Sequence, residues 1–221
     1  MIEIETVGDV RVLRWADGEN RYHSASVRRW HEILDELEAV QGPLALVLVG
    51  DGKFFSNGLD LDGFATDPES AGAVVDGVHR LFGRMVLFPA YTVAAINGHA
   101  FAGGAMLTCA FDTRVMRSDR GYWCLPEVDL GLPLTEPMHA IVTARLPRAA
   151  AFDAIMTGRR FTADEALAAG IVEHVVPEAD VLSKAIELAA VMAPKDRNVI
   201  KVHKRQLFGA TAAICDPSLD H

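Results

Sequence analysis

The chain is short of cysteine, of positive charge and of long apolar runs, and each shortage removes a class of function. Its three cysteines, Cys109, Cys124 and Cys215, are odd in number and lack C-x-x-C spacing. That pattern argues against a disulfide framework and a thiolate zinc site, and fits a reducing compartment. Acidic residues outnumber basic ones, 30 to 21, for a formal net charge of −9, so no nucleic-acid partner is expected, although a local basic patch can still meet a phosphate-bearing small molecule. No stretch approaches the roughly 18 apolar residues that a membrane span needs. The start, MIEIETVGDVRVLRW, alternates like a strand and lacks the basic region and long apolar core of a signal peptide. The expectation is a cytoplasmic protein without membrane contact. No linker rich in Pro, Gly or Ser interrupts the 221 residues, and no fixed-period repeat is visible. One α/β domain over 1–221 is therefore expected, and half its residues are hydrophobic, enough to bury a full core.

What is present alternates between two periodicities. IEIETV and VRVLRW, joined at Gly8-Asp9, read as a hairpin. From Ser26, expected as the N-cap, Val27, Trp30, Leu34, Leu37 and Val40 fall on one helical face. LALVLVG (44–50) and YTVAAIN (91–97) are continuous apolar runs, the pattern of strands buried on both faces. Each runs into a glycine-containing loop and then a helix. The last third is mainly helical: Thr162 and Glu165 form a capping box, Gly170 ends that helix, IVEHVV is a short strand, and 179–193 and 197–208 have helical spacing.

The barest backbone lies at 97–108, NGHAFAGGAMLT. Three readings compete. Two strand-end loops, with Gly58 and Gly103, can present converging N–H groups to a developing oxyanion or enolate. A phosphate cradle is the second, but GHAFAGG misses G-x-G-x-x-G by spacing and lacks the G-K-[ST] ending. Close packing of helix on strand is the third.

Four segments in order, FFSNGLDL, AAINGHAFAGGAMLTCAFDTRV, LPEVDLGLP and TGRRFTADEALAAGIVEHVVP, span about 44–177. They resemble the crotonase, or enoyl-CoA hydratase/isomerase, superfamily. The resemblance implies a crotonase-like spiral of ββα units in two steeply angled sheets over about 1–177. It also implies a C-terminal helical region, about 178–221, used to assemble a homotrimer or dimer of trimers. The implied substrates are acyl-CoA thioesters, with coenzyme A part of the substrate and no separate cofactor or metal.

Carried onto this chain, the resemblance makes the backbone N–H groups of Leu59 and Gly103 the oxyanion donors. Ser56, Gly58, Asp60, Leu61 and Gly104 are the adjoining substrate-binding positions, although Asp60 also reads as a helix N-cap. The GLDL form is similar to the enoyl-CoA isomerase branch. Family hydratases carry two glutamates; here the first position is Met106, whose thioether is no base, and the second is Glu127. An apolar setting, WCLPEVDLGL, is expected to raise the Glu127 pKa, while its other reading is as the opening residue of a helical turn after Pro126. Glu136 is an alternative acid nine residues on.

One glutamate and an oxyanion hole imply a Δ3,Δ2-enoyl-CoA isomerase in fatty-acid degradation. Another crotonase reaction (hydration, thioester hydrolysis or decarboxylation) and a catalytically silent acyl-CoA-binding relative stay open. Arg21 or His23, and the cluster Lys201, Lys204 and Arg205, are candidate contacts for CoA phosphates, with exposed surface charge as the other reading. His99 is expected to be packed or hydrogen-bonded rather than a base.

Overall fold

The computed structural model describes residues 1–220. The chain opens with β1 (Ile2–Val7), β2 (Val10–Trp15), β3 (Arg21–Tyr22) and α1 (Ser24–Glu38). There follow β4 (Ala45–Gly50), β5 (Phe54–Ser56), β6 (Gly58–Leu59), α2 (Leu61–Thr66) and α3 (Pro68–Val86). Next come β7 (Tyr91–Ile96), β8 (His99–Phe101), α4 (Gly103–Cys109), β9 (Thr113–Arg117), β10 (Trp123–Cys124) and α5 (Glu127–Leu130). The last third holds α6 (Glu136–Arg145), α7 (Arg148–Thr157), α8 (Ala163–Ala168), β11 (His174–Val176), α9 (Glu178–Met192) and α10 (Arg197–Cys215), closed by a 3₁₀ turn at Pro217–Leu219.

The spiral implied by the resemblance is present. A large sheet runs in the order β1-β2-β4-β7-β9-β11, parallel except for the β1–β2 hairpin. After each of β4, β7 and β9 the chain leaves this sheet and adds one strand to a small parallel sheet ordered β10-β8-β5. A helix then returns it to the start of the next turn. A third, two-stranded parallel pair, β3–β6, joins the expected two sheets.

The apolar runs of β4 and β7 are continuous because both faces of the large sheet are covered. Leu46, Leu48, Ala94 and Ile96 point into the core shared with α1, α3 and α4. Their alternates, Ala45, Val47, Val49, Val93 and Ala95, meet Val181, Ala185 and Ala189 of α9. The C-terminal region is thus built into the molecule: α9 covers one sheet face, and α10 packs on α3 and α6. Small alanines let α9 lie close to the strands. One correction concerns α1. Its N-cap is His23, whose Nδ1 accepts from Ser26 N–H while Ser26 Oγ accepts from His23 N–H at 2.9 Å. The HSAS stretch offers several capping partners, and the reciprocal pair selects the earlier start. Among the described residues no helix is long and apolar enough to cross a membrane.

Candidate active site

Three successive turns of the spiral deliver the site. Because β5, β8 and β10 are parallel neighbours, their carboxyl ends lie side by side, and the segments that follow them open onto one crevice. The first segment carries Leu59, the second Ala102, Gly103 and Met106, and the third Pro126 and Glu127, all in the wall of a single cavity of about 510 Å³. Most of the remaining wall is apolar, including Phe64, Val75, Leu130 and Met138.

Ala102 begins α4 with φ +50° and ψ −125°, a conformation that a side chain rarely adopts. Two backbone bonds hold it there: its N–H donates to Cys124 C=O at 3.0 Å, and its C=O accepts from Met106 N–H at 3.0 Å. Since Met106 makes the first helical bond, the N–H groups of Gly103, Gly104 and Ala105 have no acceptor within α4. Strain of this kind, fixed by its surroundings, is found at ligand-facing backbone. The glycines divide by role. Gly104 is required by packing, because a Cβ there would lie 2.4 Å from Ser56 C=O; Gly103 lines the cavity. Close packing at Gly104 and a cavity-lining backbone at Gly103 therefore coexist in one loop.

The residues expected to bind substrate separate in the same way. Leu59, Leu61, Gly103 and Glu127 share the cavity wall. Ser56, Gly58 and Gly104 form the seam behind it: Ser56 is fully buried, donates from Oγ to Asn20 C=O at 2.7 Å and accepts from Gly58 N–H at 3.2 Å. Ser56 is consequently a support for the loop, because its hydroxyl is spent on the backbone. Asp60 precedes α2 but makes no side-chain cap; its carboxylate accepts from Arg21 at 3.2 Å.

Glu127 opens α5, the turn expected after Pro126, and also lines the cavity. Its Oε2 is buried without a hydrogen-bond partner among the described residues. Desolvation pushes its carboxyl up to about 7 against a small opposing pull from its own backbone. Met106, 1% exposed, contributes only a thioether to the same wall. Glu136 is exposed and faces a different surface cleft beside α10, which removes it from this cavity.

The candidate phosphate contacts fare differently. Arg21 stands at the cavity mouth but is engaged by Glu19, Asp60 and Asp62, and these carboxylates raise its pKa. His23 caps α1 and pairs with Asp17 at 3.0 Å. Lys204 is buried, with Nζ 2.6 Å from Asp112 and donating to Ala90 C=O at 2.9 Å. It fastens α10 to the core, because a buried ammonium needs such partners. Arg205 donates to Leu219 C=O, while Lys201 remains exposed. His99 is packed among Phe54, Phe101 and Tyr122, with centroids 4.9–5.7 Å apart. One polar pair was not anticipated: Thr135, in the cavity wall, shares a 2.9 Å hydrogen bond with buried His79 of α3. Its signal was a histidine between Val78 and Leu81 on an otherwise apolar helical face.

Residues 22–213 match the family model described as Enoyl-CoA hydratase/isomerase. Similar to this chain is the peroxisomal enoyl-CoA delta isomerase 2 of Arabidopsis thaliana, 30% identical over 207 residues, covering 88% of this chain and 86% of that protein. A putative enoyl-CoA hydratase of Thermus thermophilus is 38% identical over 188 residues, covering 80% and 71%. Among solved structures, a probable enoyl-CoA hydratase of Mycobacterium tuberculosis superposes with a TM-score of 0.91 at 25% identity, covering 99% of this chain and 93% of that one.

Proposed function

The chain belongs to the enoyl-CoA hydratase/isomerase family, and from that premise we propose that it is an enoyl-CoA isomerase that moves the double bond of a 3-enoyl-CoA to the 2-trans position. The observation that carries this reading is the inventory of carboxyls in the cavity wall. Asp62, at the mouth, is engaged by Arg21 at 2.7 Å; Glu127 stands unpaired inside, with Met106 in place of a second acid.

In this reading the thioester oxygen accepts from the N–H groups of Leu59 and Gly103, which acidifies C2. The Glu127 carboxylate takes a C2 proton, the resulting dienolate is held by the two donors, and the same carboxyl returns the proton to C4. Base and acid are one group, so no water needs to be placed and no cofactor is required beyond the coenzyme A that the substrate carries. A pKa near 7 suits a group that must accept and then release a proton at neutral pH. Assembly into a homotrimer belongs to the same proposal. The exposed Val199, Val202 and Leu207 on α10 are apolar surface available to a second copy, and sedimentation gives the test.

Hydration is the second reading, favoured by the likeness to the Thermus thermophilus hydratase. Offering 3-enoyl-CoA and 2-enoyl-CoA side by side and identifying the products separates the two. Double-bond migration without a 3-hydroxyacyl product supports isomerisation; hydration of 2-enoyl-CoA with no migration overturns it.

A further inference from the structure

We propose that Tyr22 is a positioning residue that sets both oxyanion donors at once, and that its ring does so while its hydroxyl does not. The inference rests on the reading of Leu59 and Gly103 as those donors. Tyr22 touches each of them by a different route. Through its backbone it is the register partner of Leu59 in the β3–β6 pair, and its C=O accepts from the N–H of Asp60, the next residue, at 3.0 Å. Through its side chain it lies against Gly103: a Cβ built there would be 3.3 Å from Tyr22 Cε2 and 3.5 Å from Cδ2.

A two-residue strand pair has too few ladder bonds to hold itself in place, so its position follows from what anchors it. Here the anchor is aromatic. The Tyr22 ring is fully buried and meets Trp15 at 5.1 Å and 55°, and Trp15 in turn meets Trp30 edge-on at 5.5 Å and 84°. Among the described residues, the Tyr22 hydroxyl and the two indole N–H groups have no hydrogen-bond partner. Shape, not hydrogen bonding, is what this stack contributes. Shortening the ring opens space directly behind Gly103 and loosens β6 on its other side, and a displacement of about 1 Å in a reacting geometry can cost on the order of 10²-fold in rate.

The test compares Tyr22→Leu with Tyr22→Phe, with turnover expressed per binding-competent site titrated by a saturated acyl-CoA. Tyr22→Leu is expected to lower kcat about 10- to 100-fold with KM changed no more than about twofold, and Tyr22→Phe to stay within about twofold of the parent chain in both. A second readout needs no turnover. The carbonyl stretch of a bound 2-enoyl-CoA, displaced by hydrogen bonding to the thioester oxygen, should relax toward the free value in Tyr22→Leu and stay displaced in Tyr22→Phe. Tyr22→Met, which retains more apolar volume, replaces the leucine variant if that chain does not fold. Unchanged kcat and carbonyl stretch in the leucine or methionine variant overturns the proposal. So does a phenylalanine variant as slow as either. A parent chain that displaces the carbonyl but does not isomerise overturns the reaction assigned above and leaves the role of Tyr22 standing.

Discussion

Gly58 and Gly103 approach so closely that a Cβ on Gly58 would lie 2.9 Å from the amide nitrogen of Gly103. Gly58 also has φ +77°, so a side chain there is opposed by its own backbone and by the neighbouring turn. Gly58→Ala is expected to push the two loops apart and lower turnover about 10²–10³-fold, the loss typical of one oxyanion donor. Steady-state rates per folded site check this, and a correctly folded Gly58→Ala chain with near-parental turnover removes these loops from the mechanism.

Glu127→Gln keeps the shape of the side chain but cannot accept the C2 proton. Conversion of 3-enoyl-CoA to 2-enoyl-CoA, followed by the rise in conjugated-thioester absorbance, should fall by at least about 10²–10⁴-fold, with thioester affinity preserved. Glu136→Gln should behave as the parent chain. The parent's acid limb should rise as the carboxyl ionises, with a midpoint near 7. An active Glu127→Gln chain beside an inactive Glu136→Gln one reverses the assignment.

The same carboxyl has a cost in stability whose sign follows from its shift. Its folded-state pKa, about 7, lies above the ordinary 4.5, so the native state holds that proton more tightly than the unfolded chain. The stabilisation this confers is complete below about pH 4.5 and is lost as pH rises through 7. Denaturation at pH 8 should therefore find Glu127→Gln more stable than the parent by about 1–3 kcal/mol, with the difference shrinking at pH 5. A difference that is flat with pH would mean the carboxyl is not desolvated.

Lys204→Met leaves Asp112 with the Thr92 N–H and hydroxyl as its donors and strips Ala90 C=O of a buried partner. Urea unfolding should show a loss of about 3–5 kcal/mol, as for other buried pairs broken on one side. Adding Asp112→Asn should recover part of it, since the uncompensated charge is then gone. Additive losses in the double-mutant cycle would argue that the two groups do not act as a pair.

The sequence was most informative where one period dominates. The long strands of the large sheet, the β1–β2 hairpin and the Thr162–Glu165 capping box all follow local rules. The small sheet was harder to see because its strands are two or three residues long, below the length at which alternation is measurable. Within the site, Glu127 and Gly103 stand in motifs, whereas the polar contacts of Ser56, Arg21 and Lys204 were not legible because each has a partner that lies far along the chain. Ser56 meets Asn20, Arg21 meets Asp60, and Lys204 meets Asp112. The pairing of His79 with Thr135 was hidden for the same reason.

The order β5-β8-β10 has a consequence for how such a chain can change its chemistry. Parallel strands are spaced about 4.8 Å apart by their backbone hydrogen bonds, whatever their side chains, so the loops that hold Leu59, Gly103 and Glu127 stand at intervals dictated by main-chain pitch. The two proposed donors are backbone atoms, whose place is set by the main chain rather than by the wall side chains. Position 106 contributes a side chain alone, that of a buried methionine on α4. In the proposed mechanism, reactivity and carbonyl polarisation are thereby separately adjustable, like a fixed jig accepting interchangeable tools.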